Sequence, residues 1–190
     1  MTILRTDRLA LRPLLPDDAK DYAAMRFHPK VAKWLPPASA DPQTADQTAD
    51  QTADPETAAH ATIDRFAASW QERRLAPWGV FLDSRLIGHG GLNYVPEFDA
   101  VEVLWALHPD AWGKGYATEV AAAALDYGFG PLDLASIFAI TFEDNLASQA
   151  VMKRIGLTYR KRVDYKGFAD VVWFDIDRAS YAERTSIAAR

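Results

Sequence analysis

The sequence predicts a chain of the α/β (α+β) class, with a mixed, mostly antiparallel central sheet and helices on both faces. Three observations lead there. Segments with period-two apolar alternation and segments with a helical apolar stripe follow one another in the order β-α-α-β-β-β-α-β-α-β-β. Two pairs of strand segments are joined by short turns and so read as antiparallel hairpins. One strand instead runs through a glycine-bearing turn into a helix, from Val101 past Gly113 and Gly115 to Tyr127.

The elements can be justified in order. Leu9 and Leu11 alternate with Arg8, Ala10 and Arg12, which is a half-buried strand. Pro16-Asp17-Asp18 opens a helix, because proline presets the first helical φ and acids suit the positive end of the helix dipole. Phe27 to Pro37 reads as irregular, with Pro29, Pro36 and Pro37 as breakers. From Gln43 to Asp54 the tetrad Gln-Thr-Ala-Asp repeats. So small, polar and acidic a segment cannot bury enough surface to order itself, and about 38–54 reads as a low-complexity insertion. Asp54-Pro55 supplies the N-cap and first position of a helix whose apolar face is Ile63, Phe66, Ala67 and Trp70. Trp78 to Leu82 and Leu86 to Val95 form a hairpin around Asp83-Ser84-Arg85, and Val101 to Leu107 is the next strand. The helix from Thr118 to Tyr127 is alanine-rich through Ala121 to Ala124, small enough to lie close on a sheet. Ser136 to Thr141 is a buried strand. Ala147, Val151 and Ile155 then form one helix face, closed by Gly156 at the C-cap. Leu157 to Tyr165 and Ala169 to Ile176 form the last hairpin around Lys166-Gly167. Residues 1–178 thus read as one domain, and 179–190 as a tail that is either a weak helix or frayed.

Composition excludes several function classes. The chain has 190 residues, of which 49% are hydrophobic and 25% charged, the balance of an ordinary globular protein. A net charge of −5 argues against a general nucleic-acid or anionic-membrane binder. There is no cysteine, hence no disulfide framework, thiolate metal site or cysteine nucleophile, and any thiol chemistry must come from a ligand. No His/Asp/Glu spacing supports a metal. No apolar stretch is long enough to span a bilayer, and the N-terminus carries Arg5, Asp7 and Arg8 where a signal peptide would be apolar. The expectation is a cytoplasmic protein.

The segment from His108 to Glu119 points to a phosphate. The first N–H groups of a helix have no internal partner and the dipole favours an anion there. Gly113 and Gly115 let a phosphate approach the backbone, and Lys114 adds a charge. A P-loop would need Gly-Lys followed by Ser or Thr, but Gly115 is followed by Tyr116. A dinucleotide fingerprint would need a third small residue where Thr118 stands. Trp112-Gly113-Lys114-Gly115-Tyr116-Ala117 instead resembles the pyrophosphate loop of the GNAT acetyltransferases, Gln/Arg-x-x-Gly-x-Gly/Ala, except for Trp at the first place. That Trp, with the following Thr118-Glu119, is similar to the RimJ/RimL-like branch, the ribosomal-protein N-terminal acetyltransferases. Asn145-Leu146-Ala147-Ser148 and the short helix ending at Gly156-Leu157 resemble the later family motif, with Leu157 in place of the usual Phe. Leu4 to Pro13 is similar to the opening strand of the same branch. The resemblance runs from Ile3 to about Arg178 and fails in the repeat.

The resemblance implies a GNAT fold whose fourth and fifth strands, Val101 to Leu107 and Ser136 to Thr141, splay apart to admit the cofactor. It implies acetyl-coenzyme A (acetyl-CoA) as co-substrate, without a metal. The acceptor would be a primary amine, on a protein N-terminus or a small molecule, attacking the thioester directly. Cofactor binding then falls to Leu107, Trp112, Gly113, Lys114, Gly115, Tyr116, Ala117, Thr118 and Asn145, with a backbone N–H near Leu107 as oxyanion donor. Ser148 would protonate the departing thiolate. Glu102 or Glu143 would take the amine's proton, with Glu102 at a common family position and also readable as a strand-start charge. His108 has a suitable pKa but precedes a proline in a loop, which suggests surface placement. His89-Gly90-Gly91 reads as a tightly packed strand, since no Gly-x-Ser-x-Gly elbow accompanies it. Trp34 and Trp78 are candidates for an acceptor wall or for the core. A non-catalytic acyl-CoA sensor of the same fold is the alternative reading. The chain names no acceptor, and a homodimer is compatible with it but not required by it.

Overall fold

The computed structural model describes residues 2–35 and 54–188. The strands are β1 (Leu4–Arg5), β2 (Ala10–Arg12), β3 (Pro77–Leu82), β4 (Arg85–Val95), β5 (Ala100–Leu107), β6 (Ser136–Phe142), β7 (Thr158–Tyr165) and β8 (Phe168–Asp177). The helices are α1 (Ala19–Arg26), α2 (Pro29–Ala32), α3 (Pro55–Arg73), α4 (Tyr116–Phe129), α5 (Leu146–Arg154) and α6 (Arg178–Ala188). The strands join one mixed sheet in the order β1-β2-β3-β4-β5-β6-β8-β7, so the predicted class holds. The chain divides into two compact units, residues 1–89 with 106–116, and residues 90–105 with 117–190. The long strands β4 and β5 contribute to both.

In the first unit α1 and α3 bring Tyr22, Met25, Ala59 and Ile63 into a core with Leu14, Phe81 and Leu86. Asp54 caps α3 as its sequence predicts: its carboxylate accepts the N–H of Glu56 at 3.0 Å and of Thr57 at 3.2 Å. The repeat that precedes it, 38–53, lies outside the described residues. Two features of this unit were not foreseen. A short β1 pairs with β2, Leu4 opposite Leu11. The segment read as irregular also contains α2, where Pro29 takes the first helical position and the His28 ring accepts the N–H of Lys30 at 3.2 Å. Trp78 belongs to the core, fully buried with its indole N–H donating to the Thr2 carbonyl, whereas Trp34 is half-buried.

In the second unit β6 and β8 are antiparallel in unbroken register from Ser136–Asp177 to Phe142–Val171. β7 is the edge strand. Its exposed residues include Arg160, Lys161, Arg162 and Asp164, charges that discourage pairing with another chain. The β7–β8 turn is Lys166-Gly167, both with positive φ, the geometry that matches strand twist. The C-terminal segment is a docked helix rather than a frayed end. Asp177 accepts the Ser180 N–H at 2.8 Å, Arg178 donates to the Leu134 carbonyl, and the Tyr181 ring stacks on Phe129 at 4.7 Å.

Candidate active site

The loop that follows β5 is built from three local devices. Pro109–Ala111 form one 3-10 turn, started by the His108 ring accepting the Asp110 N–H. His108 therefore serves the turn, with its side chain partly exposed. Trp112 then folds back, and its indole N–H donates to the Leu107 carbonyl at 2.7 Å. This gives a physical reason for Trp at a position where the family pattern has Gln or Arg. Gly113 and Gly115 both adopt left-handed backbone, φ 73° and 82°, which costs an L-residue energy and a glycine nothing. A side chain on Gly113 would meet no protein atom within 4 Å, so the backbone there lies open. α4 starts at Tyr116, two residues earlier than its sequence suggests, with Ala117 and Thr118 in its first turn.

Arg8 completes the loop and was not anticipated. Its guanidinium donates to the Lys114 carbonyl at 2.9 Å and lies 4.5 Å over the Tyr116 ring. Arg8 and Lys114 thus bring two positive charges to a turn that already ends in a helix N-terminus. Arg8→Ala should weaken acetyl-CoA binding about three- to tenfold, as loss of a charge-assisted brace, with little change in unfolding temperature. Calorimetric titration of the two proteins measures this.

β5 presents a usable edge. The His108 N–H donates to Ile87 of β4 at 2.8 Å. Main-chain polar groups alternate between the two edges of a strand, so the N–H and C=O of Leu107 face away from β4. Trp112 occupies that carbonyl. On the other flank β4 is packed too tightly for chemistry. A side chain at Gly90 would come within 2.6 Å of Val120, and His89 is buried between Tyr22 and Phe66, where burial pushes its pKa down to about 3.

In the second unit β5 aligns with β6 in parallel at Glu102 opposite Phe138. Two residues further on, the Ile140 N–H donates to the Glu102 carboxyl. Glu102 is buried, which pushes its pKa up to about 8. The Ile140 N–H and the charge of Lys166 oppose the rise, and Glu97 adds to it. Glu102 is thus an interior carboxyl, not a strand-start charge. Glu143 differs: it is exposed and its carboxylate is ion-paired with Arg162. Asn145 caps α5, its side-chain oxygen accepting the Ser148 N–H at 3.2 Å. Among the described residues the Ser148 hydroxyl has no hydrogen-bond partner. The first unit therefore holds Leu107 and Trp112 to Tyr116, and the second holds Glu102, Ala117, Thr118, Asn145 and Ser148.

Residues 8–158 match the family model described as "Acetyltransferase (GNAT) domain". The chain is 30% identical over 157 residues to the "Uncharacterized N-acetyltransferase YoaA" of Bacillus subtilis (strain 168), covering 81% of each. Mycobacterium smegmatis RimJ in complex with CoA-disulfide superposes with a TM-score of 0.73 at 20% identity, covering 96% of this chain and 90% of that one. The ribosomal L7/L12 alpha-N-protein acetyltransferase RimL in complex with coenzyme A gives 0.73 at 17% identity, covering 94% and 99%. With the family model spanning most of its length, the chain belongs to the GNAT acetyltransferases, and it is an acetyl-CoA-dependent N-acetyltransferase.

Proposed function

We propose that the chain moves the acetyl group of acetyl-CoA onto a primary amine by direct attack, with its own side chains limited to binding, orientation and proton transfer. The observation that carries this is the left-handed Gly113–Gly115 turn ahead of α4, open to a ligand at Gly113 and flanked by Arg8 and Lys114. Residues Trp112 to Thr118 take the pyrophosphate on their N–H groups. The end of β5 beyond its pairing with β6, on the edge facing away from β4, pairs with the amides of the pantetheine arm, as an added strand would, and the Leu107 N–H donates to the thioester oxygen as charge develops there. Asn145, at the start of α5, contacts the same arm.

The reaction needs one proton taken from the amine and one given to the sulfur. Glu102 is the base, a carboxyl whose raised pKa suits proton exchange near neutrality. Ser148 is the donor, and its unpartnered hydroxyl supports that role. In Ser148→Ala the hydrogen bond to Asn145 survives, because it uses the backbone N–H. The variant should therefore fold and bind acetyl-CoA normally while kcat falls about a hundredfold. The acceptor amine belongs to a small molecule or to a protein N-terminus, the latter being what the RimL description names for that protein. Release of free thiol from acetyl-CoA, followed with and without a panel of amines and short peptides, tests the reading. Amine-dependent release is the expected result. Acetyl-CoA binding with no release for any amine would favour the sensor alternative.

A further inference from the structure

The surroundings of Glu102 bear on which amine is accepted. Residues aligned across a ladder point to the same face, so Glu102 shares a face of the sheet with Phe138. The Phe138 ring stacks flat on Trp173 of β8, centroids 3.9 Å apart at 4°. Phe98, from the 3-10 turn before β5, stands edge-on to both, at 5.7 Å and 5.0 Å. It also stacks on Tyr165 at 5.5 Å. Phe138 is buried, but Phe98, Tyr165 and Trp173 are only half-buried. The result is an aromatic wall on the sheet face that Glu102 shares.

This wall already attracts ammonium groups. Lys161 lies 5.2 Å over Trp173, and Lys166 lies 5.1 Å over Tyr165. The rings favour a cation, and the faces that Lys161 and Lys166 cover pass to the charged end of an amine substrate as it displaces them. The same two lysines set a limit, since a second positive charge on the acceptor would be repelled. The ring edges offer apolar and stacking contact to whatever carries the amine.

We propose that Phe98, Tyr165 and Trp173 form the acceptor wall, selecting a primary monoamine that carries an aromatic ring on a short carbon chain over hydroxyalkyl amines and polyamines. This rests on Glu102 being the base in the reading above. The same chemistry occurs in a free amine and in a peptide that begins with an aromatic residue, so both are tested.

The decisive experiment compares phenethylamine, a peptide beginning with Phe, ethanolamine and putrescine as acceptors in thiol release. Wild type is set beside Trp173→Leu and Phe98→Leu, each checked for folding by thermal unfolding. The two ring-bearing acceptors, or the one of the two that is the source, should exceed the others at least tenfold in kcat/KM. Each variant should raise KM for the ring-bearing acceptor about tenfold and for ethanolamine less than twofold. Calorimetric titration of each amine into the protein, with and without coenzyme A, reads the preference without turnover. Equal affinity for phenethylamine, the Phe peptide and ethanolamine, or a preference unchanged in both variants, would overturn the wall. Absence of acetyl-CoA binding would instead overturn the acetyltransfer reading, while the amine titrations would still decide the wall.

Discussion

Glu102→Gln should lower kcat by about 10²–10⁴ and abolish a rise in rate centred near pH 8. The carboxyl is buried on β5, and burial, opposed by the Ile140 N–H and Lys166, holds its pKa at about 8 against an ordinary 4.5. Only the ionised form accepts a proton, so wild-type activity climbs as pH passes through that value. The glutamine keeps an oxygen for the Ile140 N–H, so the local strand geometry should survive. The acceptor amine also titrates, and the variant separates the two. Any rise left in Glu102→Gln should follow the pKa of whichever amine is used, and the limb near pH 8 should be gone. Stability provides an independent reading of the same shift. A carboxyl with a raised folded-state pKa contributes its full stability below about 4.5, and that contribution is lost as pH rises through about 8. Wild type should therefore lose stability across this window, by at most about 5 kcal/mol for such a shift, while the glutamine variant does not. Denaturant unfolding at pH 5 and pH 9 measures the difference. A carboxyl with an ordinary pKa would leave both the rate profile and the stability profile of the two proteins parallel.

The second large effect is expected at Gly113. Gly113→Ala places a methyl group where no protein atom lies within 4 Å, so the folded chain suffers only from the φ of 73°. That costs about 1–2 kcal/mol, a small drop in unfolding temperature. The same methyl group stands where the phosphate is expected to approach the backbone. Acetyl-CoA affinity should fall about a hundredfold or more. The separation of these two outcomes is what identifies a ligand site: large loss of binding with small loss of stability. If stability and binding fall together in proportion, Gly113 is a structural turn residue and the loop holds no phosphate.

How much of this could be read in the sequence depended on the range of the contacts involved. The helix cap at Asp54, the Gly113–Gly115 turn and the Lys166-Gly167 hairpin are fixed by neighbours along the chain, and all fell where local rules put them. Arg8 could not be read, because its partner Lys114 lies 106 positions away. Glu102 was legible as a residue but not as an environment. One acid in a strand looks the same whether it meets water or, as here, is buried. Trp112 stood out as a departure from the family pattern, and its reason is a hydrogen bond across the loop to Leu107. Trp78 and Trp34 carried no pattern that separated core from surface, and tertiary packing alone put Trp78 inside. The helix after Arg178 had a signal in Asp177, the residue that caps it, but its docking depends on Phe129 and Leu134, far away in sequence.

The most direct test of the central claim is thermal unfolding of wild type and Gly113→Ala with saturating acetyl-CoA, ATP or NAD. Acetyl-CoA at about a hundred times its Kd should stabilise wild type by roughly 2.7 kcal/mol. ATP and NAD should do much less, and the variant should show no shift. No shift in wild type, or an equal shift with ATP, would mean that the Gly113–Gly115 turn does not hold acetyl-CoA.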